Sequence, residues 1–229
     1  MPTRARPVAQ LQALASIIGT SAGYADVLLA VDADDTKHLS INGPNVRTIV
    51  GPRRPMLQTL NKIIEQHLPY YDIFGFAGDD VLYETKDWDV KVWNALKHHR
   101  IGVVYGDDGI QHEELPTHPW FTADLVRALG YASPPCLCHY YVDNFLKALT
   151  SPLGLLFWHP EIKTTHRHHS VGGLHYDKIY HEAEQDCARD KASYEAIDVK
   201  ADIEKLKTYL EICLLTDGPA AIPPGSHTP

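Results

Sequence analysis

Sulfur is scarce in this chain: four cysteines and two methionines in 229 residues. Four thiols make no disulfide framework for a chain of this size. With no leader peptide read at the N-terminus, they are expected to be reduced thiols in a cytoplasm. Cys136, Cys138 and His139 lie together, but no second ligand pair stands at the spacing of a structural zinc site, so zinc is not expected. Long apolar runs are also missing. The stretch 153–158 is among the longest, far short of the roughly 20 residues a spanning helix needs, and no membrane contact is expected. Positive charge is in deficit, with 21 Lys and Arg against 29 Asp and Glu and a net charge of -8. Such a surface repels phosphodiester backbones, so any nucleic-acid contact has to be local. Arg53, Arg54, His98, His99 and Arg100 are the basic candidates for one, and they read as solvated surface. A glycine-rich loop of Walker form is absent, and so is any internal repeat.

What remains is an ordinary globular composition, 44% hydrophobic and 22% charged, in a length that suits one domain with a real core. Apolar residues alternate between two periods along it. Leu11, Leu14, Ala15 and Ile18 repeat at helical spacing, and 27–31 reads as a short buried strand. A second strand is expected at 46–50, followed by a helix with Met56, Leu60, Ile63, Ile64 and His67 on its apolar face. A third strand at 73–77 precedes a helix around Trp88, Val92 and Leu96, and a fourth is expected at 101–105. Helices at 122–129 and 142–149, a strand at 153–158 and a histidine-rich loop come next. Val199, Ile203, Leu206, Leu210 and Cys213 then mark one face of a C-terminal helix. Alternating strand and helix predicts an α/β domain over 1–216, a mixed but mainly parallel sheet flanked by helices. Residues 217–229, rich in Pro, Gly and Ala, read as a short flexible tail.

Three of the expected strands run into acids: Asp32, Asp34 and Asp35; Asp79 and Asp80; Asp107 and Asp108. Acids after a strand often only make turns. Three such clusters at strand ends are instead expected to meet in the crevice where open α/β sheets bind ligands. Carboxylates on a rigid support suit Mg²⁺ or Mn²⁺ bridging two phosphates. The first cluster has the choice of ribose hydroxyls or a share of the metal. The run 164–169 adds three imidazoles and an arginine: one imidazole is able to complete the shell of Mn²⁺, and Arg167 to balance phosphate charge, unless the run is simply an exposed loop.

These blocks resemble the GT-A fold glycosyltransferases, in particular the small family-two-like enzymes encoded by bacteriophages of actinobacteria. The resemblance spans nearly the whole chain, through PTRARP, VDADD, FAGDDV, VVYGDDGIQHEELPTH, LVRALGYASPP, YVDNF and THRHH with its following HYDKIY. It implies a single GT-A, Rossmann-like domain that moves a sugar from a nucleoside diphosphate sugar, by default a UDP-sugar, to an acceptor hydroxyl. Thr3, Arg4 and Arg6 are then expected near the nucleotide, with Asp32 at the nucleoside and Asp79 at the ribose or diphosphate. Asp80 resembles the metal ligand of a DXD-type pair, and His166 or His168 the late histidine facing metal and diphosphate. Asp143, at the start of a predicted helix, resembles the base of an inverting transfer; the plainer reading is a helix-start acid favoured by the dipole. Asp107, Asp108 and His118 would shape the donor-sugar and acceptor pockets. Trp120 would stack on a sugar or base, or else belong to the core. Asp177 and Tyr180 match a recurring block without a readable role. Thr165 and His169 stand where relatives tend to carry an acid and a proline, and the strand before Thr3 is expected to be clipped. The acceptor the resemblance implies is a modified DNA base or a virion protein, in the host cytoplasm. The rival readings are a sugar nucleotidyltransferase and a non-catalytic nucleotide-binding relative.

Overall fold

β1 (Pro2–Thr3), β2 (Val27–Asp32) and β3 (Val46–Gly51) form a parallel sheet in that order within a computed structural model that describes residues 1–217. β1 is only two residues long, yet Pro2 pairs with Ala30 and Thr3 with Val31, so it carries Thr3 to the C-terminal end of β2, where the first acids stand. Between β1 and β2 runs α1 (Pro7–Thr20), opened by a proline that needs no hydrogen-bond partner in a first turn. Ala13, Leu14 and Ile17 are its buried face.

A second sheet has five strands in the order β4 (Ile73–Gly75), β7 (Trp120–Thr122), β6 (Val103–Asp107), β8 (Leu156–His166) and β5 (Val81–Tyr83). Here only β6 and β8 run parallel; β4 with β7, β7 with β6, and β8 with β5 are antiparallel. The expected α/β class is what forms, with mixed pairing in this second sheet rather than the mainly parallel arrangement anticipated. The short strands β5 and β7 escape a period-two reading because three residues hold too little alternation. β8 runs well past its expected end at 158, to His166, so the histidine-rich segment begins inside the sheet.

The second sheet separates two cores because successive residues of a strand face opposite ways. Val103 packs with α2 (Met56–His67), α4 (Ala123–Leu129), α5 (Val142–Thr150) and Leu206 of α7 (Val199–Asp217), whereas Val104 packs with α1, α3 (Trp88–Leu96) and Ile162. Between β8 and α7 lies α6 (Lys178–Glu195), a helix the apolar pattern does not announce. Its buried residues are only Tyr180, Ala183 and Asp190, too few to make a stripe. Among the described residues, no helix is long and apolar enough to cross a membrane. All four cysteines are free thiols. Of the anticipated C-terminal tail, everything after Asp217 lies outside the described residues.

Gly106 and Gly78 are among the glycines set by close approach. A Cβ on Gly106 would fall 1.9 Å from the Ile162 carbonyl oxygen, at the point where the β6 and β8 register shifts. A Cβ on Gly78 would meet Asp80 Oδ1 at 2.4 Å. The first turns the end of β6 toward β8, and the second leaves room for a carboxylate folded back over its own loop.

Candidate active site

The acid clusters are brought together by the N-terminal segment and by one histidine. Thr3 Oγ1 donates to Asp79 Oδ2 at 2.8 Å, and the next residue, Arg4, bonds Asp32 Oδ2 at 2.9 Å and Asp34 Oδ1 at 2.7 Å. The Ala5 amide donates to Asp35 at 2.8 Å from a left-handed backbone with φ of 56°. Arg6 then forks onto Asp177 with two bonds of 2.7 Å, reaches Asp79 at 3.3 Å, and lies 4.0 Å over the Tyr180 ring. Thr3, Arg4, Arg6, Asp32 and Asp79 therefore stand together as partners of one another.

Asp79 and Asp80 are adjacent and electrostatically opposite. Burial raises Asp79 to about 6, although Arg6 and Thr3 pull the other way. Burial also works against Asp80, but the hydrogen bond and charge of His166, the charge of His118 and the Tyr180 hydroxyl hold its carboxyl well below the usual range. His166 Nε2 lies 3.5 Å from Asp80 Oδ2, its Nδ1 lies 4.0 Å from Asp108 Oδ2, and the Tyr180 hydroxyl donates to Asp80 Oδ2 at 3.1 Å. Burial lowers the imidazole of His166, but Asp80, Asp108 and Asp143 lift it on balance. The other late histidine, His168, instead bonds Ser170 Oγ at 2.8 Å and sets its ring against Tyr180. Of the two, His166 is the one on Asp80.

Asp80 and His166 are a carboxylate oxygen and an imidazole nitrogen, a donor set that suits Mn²⁺. Two adjacent ligands of an octahedral Mg²⁺-sized ion stand about 3 Å apart, so a small closing movement of this pair brings both to one ion. Among the described residues, no three His, Cys, Asp or Glu groups converge on one metal position, and the remaining places would fall to water and ligand oxygens. Arg167 donates its amide to the Asp80 carbonyl at 2.7 Å and Nη1 to Gln12 at 2.6 Å. Its Nε and Nη2 are buried without a hydrogen-bond partner, the edge with which a guanidinium grips phosphate.

His118 lies against His166, and Asp143 acts on that same imidazole electrostatically. Asp143 is in the first turn of α5, and burial pushes its carboxyl up to about 7, with His166 lowering and Asp108 raising it. Four residues on, Lys147 donates to the Glu114 carbonyl at 2.5 Å, which turns this flank of α5 toward the loop after β6. The His118 ring is 4.8 Å from that of His166 on a backbone with φ of 49°. Burial, then the His166 charge, lowers it to about 4, so it is a neutral imidazole, and its buried Nε2 has no hydrogen-bond partner.

Three expectations need correction. Asp108 does not present a free carboxylate to a sugar pocket: Oδ1 accepts from the amides of Ile110, Gln111 and His112, and Oδ2 from Thr117 Oγ1 at 2.8 Å. Asp107 likewise accepts from the Gly109 amide at 2.9 Å and pairs with His112 at 2.8 Å, so both acids order their own loop. Trp120 lines no pocket, because it is 5% exposed and stacked on Trp88 at 5.5 Å in the core. Its position in β7 points it inward, next to a site residue in sequence but not in space.

Two contributions had no role readable in sequence. Asp177 caps α6 through the Ile179 and Tyr180 amides while holding Arg6, and a cap is readable only if the helix is. Asp190, fully buried, accepts from the amides of Cys138, His139 and Tyr140. A cavity of about 90 Å³ beside the start of β6, lined by Trp93, Lys97, Asp124 and Arg127 among others, is too small for a nucleotide sugar. Comparison with protein-family models and with curated proteins gives no match for the chain.

Proposed function

We propose that the chain is a metal-dependent glycosyltransferase of GT-A type that transfers a sugar from a nucleoside diphosphate to an acceptor hydroxyl with inversion. The observation that carries this reading is His166, whose Nε2 lies 3.5 Å from Asp80 Oδ2 and whose charge acts on Asp143, although the three residues come from separate parts of the chain. Asp80 and His166 would hold Mn²⁺ or Mg²⁺, which when bound neutralises the charge that develops on a departing diphosphate.

The chain's own groups carry the rest. The unpartnered edge of Arg167, buried as the chain stands, would turn to phosphate oxygens when the donor binds. Asp143, with a carboxyl near 7, accepts the acceptor hydroxyl's proton as that oxygen bonds to the anomeric carbon. The bond from the anomeric carbon to the diphosphate oxygen breaks on the opposite face, and the diphosphate leaves with the electron pair. Burial of the Asp143 carboxylate raises its basicity. Thr3, Arg4, Asp32 and Asp79 form the ordered wall on which the nucleoside end of the donor rests.

A screen of nucleotide sugars with and without Mn²⁺, read as release of free nucleoside diphosphate, tests the reading. Release is expected only with metal. Asp80→Ala abolishes it together with the metal-dependent thermal shift given by a nucleoside diphosphate. Asp143→Asn lowers turnover by roughly 10²-fold or more and keeps that thermal shift. Undiminished release by the Asp80→Ala protein rules the assignment out, and consumption of a nucleoside triphosphate with pyrophosphate release transfers it to nucleotidyl chemistry.

A further inference from the structure

α6 touches both halves of the proposed site. At its start, Asp177 holds Arg6 and the Tyr180 hydroxyl holds Asp80. Asp190 lies about 20 Å further along the helix axis, at 1.5 Å rise per residue. There its carboxylate is 0% exposed and accepts three backbone hydrogens, from Cys138 at 3.0 Å, His139 at 2.7 Å and Tyr140 at 2.8 Å. These amides end one residue before Tyr141, whose φ of 68° turns the chain into α5.

The start of α5 has no side-chain cap of its own. Besides the core packing of Val142, three holds come from α6: Asp190 gathers the approach, the Tyr194 ring stacks on Tyr141 at 5.4 Å and 18°, and the Tyr194 hydroxyl donates to the Asn144 carbonyl at 3.5 Å. Asp143 sits between these holds. Asp190 accepts its hydrogen bonds from backbone amides, with the Arg189 guanidinium 4.0 Å away as an ion-pair neighbour; such a buried carboxylate is costly to maintain unless its lone pairs are used, and bonds to a charged acceptor are the strong kind. Resting on the glycosyl-transfer reading above, we propose that Asp190 is a positioning residue for the base: through the 138–140 segment it sets the first turn of α5 and so the place of the Asp143 carboxyl. It touches neither donor nor acceptor. α6 thereby ties the alignment of the base to the side that holds the diphosphate.

Asp190→Asn keeps one acceptor oxygen and turns an amide NH₂ toward backbone donors, so the clamp opens with little change in volume. Hydrogen exchange of the whole chain is then expected to rise about tenfold or more over 138–145 and to stay unchanged in β5 and β8. Nucleoside diphosphate release should fall by about tenfold with the donor KM within about twofold, and the same substitution placed in an Asp143→Asn background should cost less than about twofold more. A residue that merely stabilises the fold would cost the same in both backgrounds. Unchanged exchange at the first turn of α5, equal cost in the two backgrounds, or a raised donor KM overturns the proposal. If Asp190→Asn does not fold, Tyr194→Leu removes the stack on Tyr141 alone and is read the same way, with a smaller exchange increase confined to 141–145. Absence of turnover by the unaltered protein on every nucleotide sugar defeats the glycosyl-transfer reading, and the exchange measurement still decides whether Asp190 orders α5.

Discussion

Asp143 holds a carboxyl whose ionisation the fold resists. Its folded value of about 7 lies above the ordinary 3.8, so the folded state gains from it below about pH 4 and loses that gain as pH rises toward 7. Above pH 7 the chain carries the whole burden of a desolvated charge. Asp143→Asn removes the charge at nearly constant shape and is expected to stabilise the protein at pH 8 by about 1–2 kcal/mol, after discounting for partial exposure. The gain should shrink to near zero at pH 4. Denaturant unfolding at the two pH values measures it, and equal midpoint shifts at both would mean that burial is not what tunes this group. A partly buried acid that lowers stability is the expected signature of a group kept for chemistry. The acids themselves could be read from sequence, as pairs after apolar runs. Which oxygens stay free could not, because Thr3 and Arg6 claim Asp79 from more than 70 residues away, and Asp108 spends itself on amides of its own loop.

Among the elements, α6 shows most clearly how a structural part can escape the apolar pattern. Its hold on the molecule is polar: Asp177 at its start, Tyr180 under Arg6 and Asp190 beneath the 138–140 segment, with little hydrophobic periodicity to betray it. Helices with a wide apolar face, such as α2, were legible because burial and sequence period coincide there, although the face was read through Met56 and His67 where the structure buries Leu57 beside Leu60, Ile63 and Ile64. The strands β4, β5 and β7 were blurred or missed because each has three residues and is held by its neighbours more than by its own propensity. Asp177 permits a direct test of the polar attachment. Asp177→Ala loses the α6 cap and one of the two acids on a guanidinium that is only 9% exposed, and should cost about 2–3 kcal/mol in denaturant unfolding. Asp177→Asn keeps a capping oxygen, loses the ion pair and should cost about half as much. An Asn variant as damaged as the Ala variant would place the whole effect in the Arg6 pair and none in the cap.

At the scale of the whole molecule, charge bears on which acceptor the site serves. The net charge is -8, and Arg53 and Arg100, the arginines read as candidates for a local basic patch, are held in separate ion pairs. Arg53 is tied to Glu182 on α6 at 2.6 Å, near the proposed site, whereas Arg100 is tied to Asp124 at 3.4 Å beside the beginning of β6, at the opposite end of that strand. Arg127 and Arg189 are likewise paired, with Asp124 and Asp186 at 2.6 and 2.7 Å. A duplex would meet a mainly negative surface, and counterion release, which supplies most non-specific affinity, needs several free cations along one track. Fluorescence anisotropy with an unmodified 20-base-pair duplex is therefore expected to show no binding tighter than about 10⁻⁴ M at 150 mM salt. It should also show no steep gain as salt is lowered to about 50 mM. Micromolar binding with a log–log salt slope of several units would mean that cations now held by Asp124, Glu182 and Asp186 are released to phosphate. In that event duplex DNA becomes the leading acceptor, and Arg53, beside α6, is the first residue whose replacement should reduce the slope.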